Sequence, residues 1–85
     1  MKKRRTLAEL EESLDPIGIF VRERRKLLGY TQEELAVRTG TSLNFVKSIE
    51  LGKKTLRLDK VNQVLALFGA RLEPVTSPRD EKRRT

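Results

Sequence analysis

The sequence predicts an all-α domain, a compact bundle of four or five short helices followed by a short C-terminal strand. Apolar residues recur at helical spacing in four segments between residues 16 and 68. Each segment is closed by a glycine, at positions 29, 40, 52 and 69. The helical period is lost over residues 70–75, which predicts the strand. A chain of 85 residues suits one domain, placed at residues 15–75 between an N-terminal arm (1–14) and a basic tail (76–85).

The helix bounds follow from local signals. Asp15 can cap a first helix over residues 16–28, and Pro16 suits its first position. Thr31 and Glu34 form a T-x-x-E capping box, which predicts a second helix over 32–38. Ser42 can cap a third helix that runs to about residue 51, and a fourth is predicted over 58–68. Leucines at helical spacing predict a short fifth helix over residues 6–14, and residues 76–85 are predicted to be disordered.

The composition excludes several functions. The chain contains no cysteine and no histidine, so it can form no disulfide and has no histidine base or cysteine nucleophile. A zinc site is equally disfavoured, and we expect no enzyme activity, no metal and no cofactor. No stretch approaches the roughly 20 apolar residues of a membrane span, and acidic residues interrupt any leader-like segment. We therefore expect a cytoplasmic protein, associated with the nucleoid and not with a membrane.

The net charge of +7 is concentrated in particular segments. Residues 2–5 are all basic, residues 79–85 carry four basic and two acidic side chains, and residues 41–60 carry five basic and two acidic ones. An uneven positive field of this kind suits a polyanionic partner. The alternative is that the basic tails only keep the chain soluble.

The third predicted helix has two chemically different faces. At about 100° per residue, Val46 and Ile49 share one face, whereas Asn44, Lys47 and Ser48 lie on the other. Asn, Lys and Ser can hydrogen-bond to base edges in double-stranded DNA, although a plain solvated face is the alternative. Phe45 lies at the edge of the apolar stripe, where partial burial is favoured over contact with a thymine methyl.

Phosphate contacts are predicted on either side of this helix. Thr31 and Gln32 open the second helix, whose free amides and positive dipole end suit an anion, although the capping box could also be purely structural. Lys53 and Lys54 follow the third helix and could reach the same backbone. Contacts of this type supply much of the affinity for DNA and make it depend on salt.

The segment from Val21 to Gly69 resembles the Cro/phage-repressor type of helix-turn-helix, the XRE family. The residues that carry the resemblance are Arg25, the run from Leu28 to Ala36, Gly40, Ser42, Val46, Ile49, Glu50, Gly52 and Leu58. The resemblance implies a DNA-binding repressor in which Gln32 contacts phosphate, Ser42, Asn44 and Ser48 face bases, and Arg25 pairs with Glu50. Thr41 and Arg57 depart from the family pattern, which usually has an aliphatic residue and a capping Ser or Thr there.

The apolar residues of the fourth helix cover a wider arc than one core contact requires. We assign the surplus to a two-fold partner, with Val64, Leu67, Phe68 and Leu72 at the interface and the strand over 70–75 paired with its symmetry mate. The alternative is that this segment packs back on its own domain. Residues 56–69 are also similar to HipB-type antitoxins, which implies neutralisation of a HipA-like protein kinase toxin. A phage or mobile-element repressor without a toxin is the other interpretation.

Overall fold

Residues 15–76 are described by a computed structural model, and they contain four α-helices and no strand. The helices are α1 (Pro16–Leu27), α2 (Gln32–Thr39), α3 (Leu43–Glu50) and α4 (Leu58–Leu67). The all-α prediction is therefore confirmed, with bounds that differ from the predicted ones by a residue at most of the ends. The arm helix predicted over 6–14 and residues 77–85 of the tail lie outside the described residues.

The capping residues predicted from the sequence begin three of the helices. The Asp15 carboxylate accepts from the Gly18 amide at 2.9 Å. At α2 both halves of the capping box are present, since Thr31 Oγ1 accepts from the Glu34 amide at 3.0 Å and Glu34 Oε1 accepts from the Thr31 amide at 2.8 Å. Arg57, at the start of α4, makes no side-chain cap hydrogen bond, as expected from its departure from the family pattern.

One hydrophobic core joins all four helices. Its largest members with almost no exposed surface are Val21, Leu35, Val46, Ile49 and Val64. α3 packs against both α1 and α2, and α2 also packs against α4. Because α3 packs against two other helices, the fold fixes the direction in which its outer face points.

Gly18 allows α1 to approach α3 closely. A Cβ atom added there would lie 2.6 Å from the carbonyl oxygen of Ile49 and 3.2 Å from that of Glu50. Both obstacles are backbone atoms, which cannot rotate away as a side chain would. The position therefore requires glycine although its backbone is ordinary helix.

The segment after α4 packs on its own domain. Ala70 and Leu72 lie against the core, and the Leu72 amide donates to Asn62 Oδ1 at 2.6 Å. Phe68 packs edge-on against Phe20 of α1, with ring centroids 6.1 Å apart. Much of the apolar surplus of α4 is thus used within the chain. The strand predicted over 70–75 stays a prediction, because only a second copy could supply its pairing edge.

Among the predicted dimer contacts, Val64 needs a correction. It has no exposed surface, because α4 turns this residue toward α2 and the rest of the core. A partner could not reach it without opening the fold. Leu67, 40% exposed, and the half-buried Phe68 and Leu72 keep accessible surface.

Candidate nucleic-acid interface

α2 and α3 are joined by a tight turn centred on Gly40. Gly40 has φ +71°, a left-handed conformation that glycine adopts without a steric penalty. The amide of Thr41 donates back to the carbonyl of Ala36 at 3.0 Å and closes the end of α2. Gln63 of α4 also donates from Nε2 to the carbonyl of Thr39 at 2.7 Å. The turn is therefore fixed both by its own conformation and by a side chain from a distant helix.

The two faces of α3 separate as the sequence predicts. Val46 and Ile49 are buried, at 0% and 1% exposure, whereas Asn44 and Lys47 are exposed and Ser48 is half-buried. Ser42 is exposed before the first turn, where its Oγ accepts from the Phe45 amide at 3.1 Å. Its hydroxyl proton is still available for a hydrogen bond outside the protein.

Phe45 is half-buried and packs against the core, which supports the interpretation favoured from its place on the helix. It anchors the first turn of α3 against the body of the domain. The adjacent Asn44 is thereby held on a rigid helix, which a hydrogen bond of fixed geometry to a base would need.

A polar network behind the outer face ties α1, α2 and α3 together. Arg25 donates to both carboxylate oxygens of Glu50, from Nε at 2.7 Å and from Nη2 at 3.0 Å, and also to the carbonyl of Tyr30 at 2.9 Å. The side chains of Arg25 and Glu50 are only 12% and 6% exposed. The hydrogen bonds to Glu50 raise the pKa of Arg25, with desolvation opposing them. The structural pair implied by the family resemblance is thus confirmed.

Gln32 belongs to the same network. Its Nε2 donates to Glu50 Oε1 at 3.1 Å, a contact that no local sequence pattern indicates. A side-chain amide has two N–H donors, so one remains for a phosphate oxygen. Glu50 therefore orients the side chain that was predicted to contact phosphate.

Two open grooves flank α3. The groove on the α1 side, called the α1 groove, contains Arg22, Lys26, Gln32 and Lys47. The groove on the side of the α3–α4 connection, called the loop groove, contains Ser42, Asn44, Ser48, Lys53, Arg57 and Lys60. Each groove brings cationic side chains beside the polar face of α3.

The grooves include cations that sequence reasoning missed. Arg22 and Lys26 were not predicted as DNA contacts, and Arg57 was considered only as a departure from the family's capping pattern. Lys60 was not singled out. Their spacing along the chain carries no signal for a shared groove, because they come from helices that meet only in the folded domain. Lys54 and Thr31 are exposed but line neither groove.

A helix-turn-helix family model matches residues 21–75, which include α2, the turn and α3. The chain belongs to the XRE-type helix-turn-helix family. The chain is also 40% identical over 57 residues to an uncharacterised HTH-type transcriptional regulator, y4mF, of Sinorhizobium fredii. That alignment covers 67% of this chain and 75% of the relative.

Membership in the helix-turn-helix family implies that the chain is a DNA-binding regulator. Within residues 15–76, no helix is long and apolar enough to cross a lipid bilayer.

Proposed function

We propose that this chain is a sequence-specific transcriptional repressor that reads operator DNA with α3. The proposal rests on the arrangement of α3. Its apolar face is buried in the core, and its polar face is accessible between two cationic grooves. Asn44, Lys47 and Ser48 lie on the outer face, and the helix that bears them is fixed by its buried opposite face. The major groove of B-DNA is wide enough to admit such a helix.

The proposed division of labour follows from side-chain chemistry. Asn44 suits bidentate pairing with adenine, Lys47 suits guanine, and Ser42 and Ser48 suit either. Gln32, Lys53 and Lys54, with the free amides at the start of α2 behind Thr31, are proposed to contact phosphates and set the register of the complex. Arg22, Lys26 and Lys60 extend the phosphate contacts into the two grooves.

We further propose that the repressor is a homodimer that contacts DNA at two half-sites, about one helical turn or 10 bp apart. Leu67, Phe68 and Leu72 supply accessible apolar surface on the side of α4 and the following segment. Two-fold pairing there would also give residues 70–75 a strand partner. Such a repressor would act in the cytoplasm, at the nucleoid.

The test uses duplex DNA from immediately upstream of the chain's own coding sequence and a scrambled duplex of the same composition. Binding is measured at 0.05 M and 0.2 M salt. We expect tighter binding to the upstream duplex, and a loss of about 1–3 kcal/mol of that preference in Asn44→Ala. Equal binding of both duplexes would contradict a repressor that acts on its own promoter.

Lys53→Gln provides the complementary variant. It should weaken binding to both duplexes equally and flatten the salt dependence by about 0.9 in log–log slope, because one phosphate contact is lost. Arg38→Gln is the matched control, since Arg38 is exposed and lines neither groove. An equal effect of Arg38→Gln would mean that total charge and not the grooves determines affinity.

An antitoxin role is the finer version of this proposal, supported by the similarity of residues 56–69 to HipB-type antitoxins. It requires that the chain also bind and inhibit a HipA-like kinase. Co-expression with a kinase encoded beside it should restore growth, and the complex should co-purify. DNA binding without any such rescue favours the phage or mobile-element repressor.

A further inference from the structure

Arg57 in the loop groove is held by a neighbouring carboxylate. Its guanidinium donates to Asp59 from Nε to Oδ1 at 3.2 Å and from Nη2 to Oδ2 at 2.8 Å. Both side chains are exposed, at 72% and 65%. Asp59 itself does not line the groove, whereas Arg57 lines it together with Asn44, Ser48 and Lys53.

The geometry of the Arg57–Asp59 pair means that the Asp59 carboxylate competes with a DNA phosphate for the Arg57 guanidinium. The planar guanidinium fork fits a carboxylate and a phosphate equally well, and an ion pair exposed to this extent contributes little to stability. Within residues 15–76, Lys53 in the same groove has no carboxylate partner. In this part of the chain, Arg57 and Lys53 thus line the same groove, but Arg57 is already paired with a carboxylate of the protein and Lys53 is not.

Asp59 remains an anion at neutral pH. Desolvation opposes its ionisation, but hydrogen bonds from Arg57 and from the backbone amide of Lys60 outweigh that effect, so the pKa of Asp59 is lowered. The Lys60 amide donates to Asp59 Oδ1 at 2.9 Å, which fixes the carboxylate at the first turn of α4. It therefore stays in place to hold Arg57.

We propose that Asp59 limits the sequence-independent affinity of this surface for DNA by holding Arg57 away from the phosphodiester backbone. The inference rests on the proposed function, because it assumes that the loop groove follows a DNA strand. With Arg57 paired to Asp59, phosphate contacts contribute a smaller share of the free energy of DNA binding. Base contacts from α3 contribute a larger share.

The test measures the binding of the full chain to a random-sequence duplex of about 30 bp over a range of salt concentrations. Asp59→Asn keeps an oxygen that can accept from the Lys60 amide but removes the charge that holds Arg57. We expect a log–log salt slope steeper by about 0.9, the value for one added phosphate contact. The gain in affinity over the wild-type chain should therefore be about 3.5-fold larger at 0.05 M salt than at 0.2 M salt.

Two variants separate this effect from a simple change of net charge. Glu23→Gln also removes one negative charge, from an exposed position of α1 outside both grooves, and should change the slope little. Arg57→Gln combined with Asp59→Asn should bind as Arg57→Gln alone does. The inference is overturned by an unchanged slope or weaker binding in Asp59→Asn, by an equal effect of Glu23→Gln, or by a gain that persists without Arg57.

Lys53→Gln in the same series distinguishes a failure of this inference from a failure of the proposed function. If the wild-type chain binds and Lys53→Gln weakens it while Asp59→Asn behaves as wild type, this inference fails and the proposed function stands. If no variant binds duplex at 0.05 M salt although circular dichroism shows each to be folded, the proposed function fails, and this inference fails with it.

Discussion

At the scale of single residues, Glu50 connects the fold to the candidate DNA face. It neutralises Arg25 inside the domain and orients Gln32 at its edge. The Arg25–Glu50 pair could be anticipated from the family resemblance, but the bond to Gln32 could not. Gln32 and Glu50 are 18 positions apart, and nothing local in either segment indicates that their side chains meet.

Removing Glu50 should leave a cation without its partner in a largely desolvated site. We expect Glu50→Ala to lower the free energy of unfolding by about 3–5 kcal/mol, measured by urea denaturation followed by circular dichroism. Replacing Arg25 and Glu50 together by methionine should cost less, because no unpaired charge remains. A double variant as unstable as Glu50→Ala would show that packing, not charge compensation, is the main contribution of the pair.

At the scale of elements, helix starts were predictable and helix contacts were not. Asp15, Thr31 and Ser42 mark their helices through bonds to amides three residues away, so the signal lies within the local sequence. The position of α1 against α3 depends on Gly18, which meets the backbone of Ile49. That contact spans 31 positions and has no periodic signature.

The outer arc of α4 shows a second consequence of long-range packing. The sequence indicates correctly that its apolar arc is too wide for one contact. It left open that the following segment packs back on its own domain, but it did not indicate that Phe20 and Leu72 cover part of that arc. Val64 was therefore assigned to a partner. Which apolar residues of α4 contact their own chain, and which remain accessible to a partner, depends on the tertiary structure.

Gly18→Ala tests the close approach of α1 and α3. In a helix interior, alanine ordinarily stabilises relative to glycine by about 1 kcal/mol. Here we expect the opposite sign, a loss of about 1–3 kcal/mol in the free energy of unfolding, because the added Cβ overlaps the Ile49 carbonyl. Ala66→Gly, at an exposed position of α4, gives the ordinary Gly/Ala difference in this fold. A stabilised Gly18→Ala protein would show that the two helices can separate without cost.

At the scale of the whole molecule, the sequence predicts the fold class and the polar outer face of α3 but not the full cationic surface. Helical period and capping are local, and so is the alternation of faces on α3. The grooves form only when α1 and α4 pack beside that helix, which is why Lys26 and Lys60 were not predicted as candidate contacts. Dimerisation is the other property that belongs to the whole molecule, and it remains a prediction.

Leu67→Glu tests the dimer. We expect the wild-type chain to sediment as a dimer at micromolar concentration and Leu67→Glu to sediment as a folded monomer, since a charge would be buried at the interface. Val37→Glu is the matched control, because Val37 is 78% exposed on α2 and is not among the proposed interface residues. A monomeric wild-type chain, or a dimer unaffected by Leu67→Glu, would contradict the proposed interface.

The outer face of α3 is tested most directly by selecting binding sites from a pool of random duplexes with the wild-type chain, Asn44→Ala and Ser48→Ala. We predict an enriched site with two inverted half-sites about 10 bp apart. Each variant should lose base preference at one or two positions of the half-site and keep it elsewhere, at about 1–3 kcal/mol per lost contact. If all three proteins enrich the same site with the same preferences, Asn44 and Ser48 do not contact bases, and α3 does not read DNA through this face.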